Sequence, residues 1–268
     1  MSLAAEDVRA AAERLFKAEK SGEQIGLLSL AFPGMTMDDA YAVQTELMRL
    51  KAGAGRKVIG WKIGLTSKAM QYALNISTPD SGVLFDDMAF DNDEAVPKGR
   101  FIQPRIEAEI AFVMKAPLAG GDVTRDDVLA ATDYVAPSIE ILDTRILRAD
   151  PETGKTRIIV DTISDNAANA GIVLGNKRHA VDAFDLRWVG SIVSRNGEVE
   201  ETGLGAGVLN DPVEGIVWLA RRMAQYGQRI EAGQVILSGS FIRPVECPGG
   251  SVIEADFGDF GRVGCRFE

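Results

Sequence analysis

The sequence predicts an α+β fold rich in β-structure, and three observations carry that reading. Amphipathic helical periodicity dominates residues 1–56. After Lys57 short β-branched runs punctuated by Gly, Pro and Asn-Gly turns take over. Helix and strand then fail to alternate regularly, which argues against a doubly wound parallel sheet. The expected organisation is a helical appendage over 1–56 followed by a β-rich catalytic body over 57–268.

The elements follow in order. From Glu6 to Lys17 the apolar residues Val8, Ala11, Ala12, Leu15 and Phe16 recur at helical spacing. A second amphipathic run carries Tyr41, Val43, Leu47 and Leu50, with Thr36 as N-cap, Asp39 completing a box-like cap, and Gly53 and Gly55 as the stop. Within the β-rich body, Thr124 to Ala131 reads as a helix capped by Thr124 and Asp127. Asp211 to Tyr226 reads as another, with Pro212 at its first position and Gly227 past its end. Asn196-Gly197 between two β-prone runs predicts a type I′ hairpin.

Composition narrows the function. Hydrophobic residues make up 46% and charged residues 25% of 268, the balance of a soluble globular protein. A net charge of −10 with no Lys/Arg run disfavours nucleic acid and anionic membranes as partners. Charged residues from Glu6 to Arg14 exclude a signal-peptide core there, and no apolar stretch reaches the roughly 18 residues a span needs, so a cytoplasmic location is expected. Cys247 and Cys265 read as two reduced thiols.

The chemistry concentrates in Arg105-Ile106-Glu107-Ala108-Glu109-Ile110-Ala111-Phe112-Val113. In a strand, Ile106, Ala108, Ile110 and Phe112 share one face, and Glu107 and Glu109 share the other with Ala111 and Val113. Two carboxylates side by side on a surface that continues apolar repel one another unless a cation joins them, and a metal ion is the economical one. The alternative is the solvated face of an edge strand. Glu140, flanked by Ile139 and Ile141, is a candidate third ligand. Oxygen donors alone favour Mg²⁺ or Mn²⁺. Lys62 is the one charge in the glycine-flanked apolar run Val58 to Leu65, suited to proton transfer or carbonyl polarisation if desolvated, or else paired or reaching water. Asp80, in Ser77-Thr78-Pro79-Asp80-Ser81-Gly82, reads by itself as a turn aspartate. The polar run Asp161 to Asn166 is either a helix cap or a substrate-contacting loop.

Other motifs fail. In Gly203-Leu204-Gly205-Ala206-Gly207 the third glycine comes one position early for dinucleotide binding and no βαβ unit surrounds it, so a flexible turn is expected. The single histidine, His179, lies in a polar stretch without a nucleophile partner, which disfavours a histidine-dependent hydrolase.

At Gly60-Trp61-Lys62-Ile63-Gly64-Leu65-Thr66-Ser67, Arg105-Ile106-Glu107-Ala108-Glu109 and Asp161-Thr162-Ile163-Ser164-Asp165-Asn166-Ala167-Ala168-Asn169, the chain resembles the hydratase and decarboxylase branch of the fumarylacetoacetase-like family. Asp150-Pro151-Glu152-Thr153-Gly154, Glu200-Glu201-Thr202-Gly203 and Ser238-Gly239-Ser240-Phe241 place it nearer the hydratases. The resemblance implies a mixed β-sheet roll with an N-terminal helical region, assembled as a homo-oligomer. It implies hydration of an unsaturated 2-oxo dicarboxylic acid from meta-cleavage of aromatic compounds. Decarboxylation of such an acid, hydration of 2-hydroxypentadienoate and a catalytically silent binding subunit are the alternatives. It puts Glu107, Glu109 and Glu140 on a Mg²⁺ (or Mn²⁺) ion, Lys62 and Asp80 at proton transfer, and Arg105, Ser164, Ser240 and Phe241 around the substrate. Lys68, Arg105, Arg145 and Arg243 are the candidate cations for the far carboxylate. Trp61 stands where some relatives carry histidine, so that histidine's role does not transfer.

Overall fold

The computed structural model describes residues 3–73, 76 and 78–268. The helices are α1 (Ala5–Ser21), α2 (Leu28–Ala31), α3 (Met37–Gly53), α4 (Lys68–Ala73), α5 (Arg125–Ala131), α6 (Ile159–Ser164) and α7 (Pro212–Ala224). The strands are β1 (Val58–Gly64), β2 (Asp80–Phe85), β3 (Ala89–Phe90), β4 (Ala95–Val96), β5 (Arg105–Met114), β6 (Thr132–Leu142), β7 (Asn169–Leu174), β8 (Gly190–Arg195), β9 (Glu198–Leu204), β10 (Val235–Leu237), β11 (Val245–Glu246), β12 (Val252–Asp256) and β13 (Arg262–Phe267).

A mixed sheet runs β2-β1-β10-β5-β6-β7-β3, with β11 also on β5. A second sheet runs β4-β13-β12-β8-β9. The expected α+β fold with mixed sheets and N-terminal helices is what the chain forms. Alternation along β5 divides the interior as expected. Ile106, Ala108, Ile110 and Phe112 enter the principal core with Val193, Ile253 and Val263 of the second sheet and Ile216 and Leu219 of α7. On the opposite face of the main sheet Ala111, Leu237 and Ile172 pack with Val83, Leu84 and Phe85 of β2. The N-terminal helices form their own cluster from Ala11, Leu15, Leu28, Val43 and Leu47, closed by Ile146 from beyond β6.

Local signals behave as their chemistry dictates. Thr36 and Thr124 both make reciprocal capping boxes with an aspartate three residues on. Asp211 caps α7 and Pro212 opens it. Asn196 and Gly197 take positive φ, 56° and 83°, at the turn between β8 and β9. Helices α4 and α6 go unseen in the sequence because six residues carry less than two turns of periodicity. Asp161 settles as a cap: it accepts from the Ile158 N–H at 3.0 Å and ties α6 to Ser29.

Two expectations are corrected. Gly203 and Gly205 are close-approach positions rather than flexible turns: an added Cβ would lie 1.8 Å from the Phe241 carbonyl oxygen and 2.1 Å from that of Leu186. Asp80 is not a turn aspartate but the first residue of β2, 2% exposed; Ser77, at the head of that segment, lies outside the described residues. The two cysteines are free and buried. No helix among the described residues is long and apolar enough to cross a membrane.

Candidate active site and metal centre

Strand register builds the site. β5 and β6 pair antiparallel with Glu107 opposite Glu140 and Glu109 opposite Ser138, so the three glutamates fall on one face as a direct cross-strand pair plus a neighbour two residues along. One carboxylate oxygen from each lies within 4.8 Å of the other two. β5 lies between β10 and β6, so these side chains are not on a solvated edge. Glu109 and Glu140 are fully buried and Glu107 is half-buried.

Lys62 arrives from β1, whose parallel pairing sets Lys62 against Leu237 of β10, which in turn pairs with Ala111 of β5. Its Nζ is 3.5 Å from Glu140 Oε1 and its residue is 3% exposed. Asp80 pairs with Gly64 across β1 and β2. A Cβ at Gly64 would sit 2.2 Å from Asp80 Oδ1 and 2.8 Å from Lys62 Nζ, so glycine there is what lets ammonium and carboxylate converge. From the β10 side the Gly239 N–H donates to Glu109 Oε2 at 2.7 Å.

One ammonium therefore faces four carboxylates. Burial pushes Glu107 up to about 8, with the Glu140 charge adding to it and Lys62 opposing. Burial likewise holds Glu109 well above the carboxylate range and raises Glu140, although Lys62 pulls Glu140 back. Burial also raises Asp80, opposed by Lys62. For Lys62 burial favours the neutral amine, but Glu140, Asp80 and the other two glutamates outweigh it and the ammonium is held. Glu109 Oε1, both oxygens of Glu140 and Asp80 Oδ1 are buried without a hydrogen-bond partner. Orphaned buried carboxylate oxygens carry a desolvation penalty that a divalent cation removes. The donor set of hard oxygens fits Mg²⁺ or Mn²⁺.

The remaining candidate residues have these partners. Arg105 shares the face of Glu107 and pairs with Glu246 at 2.9 Å. The Ser164 hydroxyl donates to the Val160 carbonyl inside α6. Ser240 Oγ bonds Ile242 in the loop after β10, and Phe241 sits edge-on to Phe257 with its carbonyl against Gly203. Arg145 is buried and committed to Asp165, Arg243 is exposed and paired with Glu201, and Lys68 is exposed against Gln71. Trp61 alternates to the other side of β1 and donates to Gln234.

The part played by Asn166, Ala167 and Ala168 is not visible in the sequence. All three take left-handed φ, 53°, 52° and 60°. The Asn166 amide pairs with both Val83 N–H and Val83 carbonyl, standing in for a strand partner and holding β2 above the site. Consecutive left-handed alanines leave no periodicity signal.

No protein-family model matches the sequence. The chain is 52% identical over 256 residues to 2-oxo-hept-4-ene-1,7-dioate hydratase of Escherichia coli, covering 96% of each. It is 41% identical to 2-keto-4-pentenoate hydratase of Paraburkholderia xenovorans, covering 96% of this chain and 94% of that one. The chain belongs to the hydratase and decarboxylase branch of the fumarylacetoacetase-like family. Among solved structures, 4-oxalocrotonate decarboxylase of Pseudomonas putida G7, complexed with magnesium and adipate, superposes with a TM-score of 0.93 at 37% identity, covering 100% of this chain and 99% of that one. The family likeness thus covers the whole fold, the N-terminal helices included.

Proposed function

We propose that this chain is a divalent-metal-dependent hydro-lyase that adds water to 2-oxo-hept-4-ene-1,7-dioate, giving 4-hydroxy-2-oxoheptane-1,7-dioate in meta-cleavage catabolism of aromatic compounds. The observation that carries the reading is the convergence of three glutamates, with orphaned oxygens on Glu109 and Glu140, upon Lys62 and Asp80 on one sheet face, in a chain half identical to a hydratase of that name. Glu107, Glu109 and Glu140 would hold Mg²⁺, with Mn²⁺ as the alternative. When bound, the ion would supply positive charge that offsets the negative charge developing on the 2-oxo group.

The chain's own residues then move protons. A proton leaves C3 and one is returned at C5, so that the double bond shifts into conjugation between C3 and C4. Water adds its oxygen at C4 and C3 regains a proton. Asp80, its Oδ1 without a partner and its protonated form favoured by burial against the pull of Lys62, is the group that can take and return the proton. The Lys62 ammonium lies between Asp80 and Glu140, where it can pass a proton to the same group. The apolar floor of Ala111, Leu237 and Ile172 keeps bulk water from that face.

As part of this reading the enzyme works as a cytoplasmic homo-oligomer. Exposed apolar side chains around the second sheet, Trp188, Ile192, Val199 and Val252, support self-association, which light scattering would measure. The likeness to 4-oxalocrotonate decarboxylase favours a second reaction, loss of CO₂ from a 2-oxo dicarboxylate, served by the same electrostatics. Mass spectrometry of products from both substrates, with Mg²⁺ and with EDTA, separates them. Gain of one water by the seven-carbon acid, abolished by EDTA, is the expected result; loss of CO₂ from 4-oxalocrotonate in its place would make the decarboxylase reading correct.

A further inference from the structure

β2 is an edge strand of the main sheet: β1 pairs with it on one side, and no strand among the described residues lies on the other. Such an edge leaves a row of backbone N–H and C=O groups, which are costly to bury unless they find partners. Here side chains supply them. The Ser81 N–H donates to the Tyr41 hydroxyl at 3.3 Å, and the Ser81 carbonyl accepts from Gln44 Nε2 at 2.8 Å. Two residues on, Asn166 serves Val83 in the same way. Tyr41 and Gln44 stand three residues apart on one face of α3, and both grip the residue that follows Asp80.

Tyr41 is itself held. Arg221 and Arg222 lie in the last turn of α7, where a cation is favourable against the helix dipole whatever else it touches. Their contacts separate them. Arg221 donates to the Val123 carbonyl at 2.9 Å. Arg222 is half-buried, has no ion pair among the described residues, and stacks 3.8 Å from the centroid of the Tyr41 ring, with the Tyr226 ring at 5.3 Å. The Tyr226 hydroxyl ties the same end of α7 to Asp38 of α3 at 3.4 Å. Arg222 is also near enough to act on Asp80: burial raises that carboxyl, with Lys62 and, more weakly, Arg222 opposing.

Asp80 stands at the open end of β2. Its Oδ1 has no hydrogen-bond partner, and its approach to Lys62 depends on the backbone pairing of Asp80 with Gly64. Pro79 before it has no N–H to give to a sheet. The Ser81 backbone is therefore the first anchor that follows Asp80, and a proton carrier misplaced by about 1 Å can lose about 10²-fold in rate.

We infer that Tyr41, clamped by Arg222, is a positioning residue: through Ser81 it fixes the Asp80 carboxyl against Lys62, so that the N-terminal helical region forms part of the catalytic apparatus. That Asp80 carries a proton rests on the hydratase reading above; the clamp on it does not.

The test compares wild type with Tyr41→Phe, which removes only the hydroxyl, and with Arg222→Met and Arg222→Lys. Amide hydrogen exchange by NMR reads the clamp directly. In Tyr41→Phe the Ser81 amide should exchange about tenfold faster, the loss of one hydrogen bond, while that of Val83, held by Asn166, is unchanged. With Mg²⁺ and the seven-carbon dioate, kcat should fall about tenfold while KM and Mg²⁺ affinity stay within about twofold. Arg222→Met should lower kcat in the same way, and Arg222→Lys should recover part of it. Added to Asp80→Asn, Tyr41→Phe should cost nothing further, because it acts through that carboxyl. Equally faster exchange at Ser81 and Val83 would mean a loosened sheet rather than a placed side chain and would overturn the inference. So would an unchanged kcat, or the same loss repeated on top of Asp80→Asn. If wild type hydrates no dioate, the hydratase reading fails, and exchange at Ser81 against Val83 still decides the clamp.

Discussion

Arg145 with Asp165 and Lys62 with its glutamates are both buried clusters of charge, and they are assembled to opposite ends. Arg145 closes on Asp165 through Nε and the backbone N–H, and its Nη2 donates to the Asp165 carbonyl. Every oxygen of that carboxylate is satisfied. Lys62, by contrast, has one ion-pair partner among the described residues, Glu140 at 3.5 Å, and both Glu140 oxygens, one of Glu109 and one of Asp80 are left without hydrogen bonds. The first cluster locks a loop; the second stores unpaired charge for an occupant. Polar atoms buried without partners are what separates a site from a brace when both contain a buried basic group.

The largest effect expected is on turnover. Lys62→Met should lower kcat by about 10²–10⁴-fold, the usual contribution of a positioned proton carrier, while Mg²⁺ binding measured by calorimetry persists. Retained turnover would remove Lys62 from the chemistry and make it a second brace.

Stability should respond in the reverse sense. Arg145→Ala strands Asp165 as a buried lone charge and should cost about 3–5 kcal/mol in urea unfolding. Glu109→Gln, assayed without metal, removes a carboxylate that has no ion pair among the described residues and that burial with the Glu140 and Glu107 charges holds well above the carboxylate range, so it should leave stability equal or higher while abolishing Mg²⁺ binding. Equal destabilisation by the two would erase the distinction between brace and site.

How much of this was legible in the sequence follows the range of the interactions. The glutamate face of β5 was readable because strand alternation is local, and the capping boxes and the Asn196-Gly197 turn span four residues or fewer. That Glu140 stands directly opposite Glu107 depends on the register of two strands separated by a helix, which no local pattern encodes. The turn reading of Asp80 failed for the same reason: the residues around it look like a turn, and only pairing with Gly64 makes it a strand start at the site. Arg145 looked available for substrate because nothing nearby in sequence announces Asp165 as its partner, twenty residues on.

The pH dependence of the metal-free protein sharpens the contrast at moderate size. Glu107 is held up to about 8 in the folded chain against an ordinary 4.5. The folded state therefore keeps a proton that the unfolded chain releases. Stability from that group is complete below pH 4.5 and is lost progressively as pH rises towards 8. In EDTA the melting temperature should fall across that window. Saturating Mg²⁺, which takes the deprotonated carboxylates, should cancel the fall, and its affinity should rise with pH. Identical profiles with and without Mg²⁺ would show that the glutamates are not its ligands.

The smallest effect concerns the left-handed turn that Arg145 holds. Its guanidinium reaches the Asp165 carbonyl and, at 3.4 Å, that of Asn169, bracketing Asn166, Ala167 and Ala168. Asparagine tolerates such φ values, whereas each alanine costs roughly 1–2 kcal/mol there. Ala167 is 2% exposed, so replacing it would forfeit a buried methyl; Ala168 is half-buried and gives the cleaner test. Ala168→Gly relieves the backbone at an entropic cost of about 0.5–1 kcal/mol, for a net gain near 0.5 kcal/mol. Destabilisation by Ala168→Gly would mean that the Ala168 methyl is itself a packing contact. A gain in the wild-type background that shrinks when Arg145 is weakened would show that the ion pair is what holds these residues in place, and through Asn166 what holds β2 over the carboxylates.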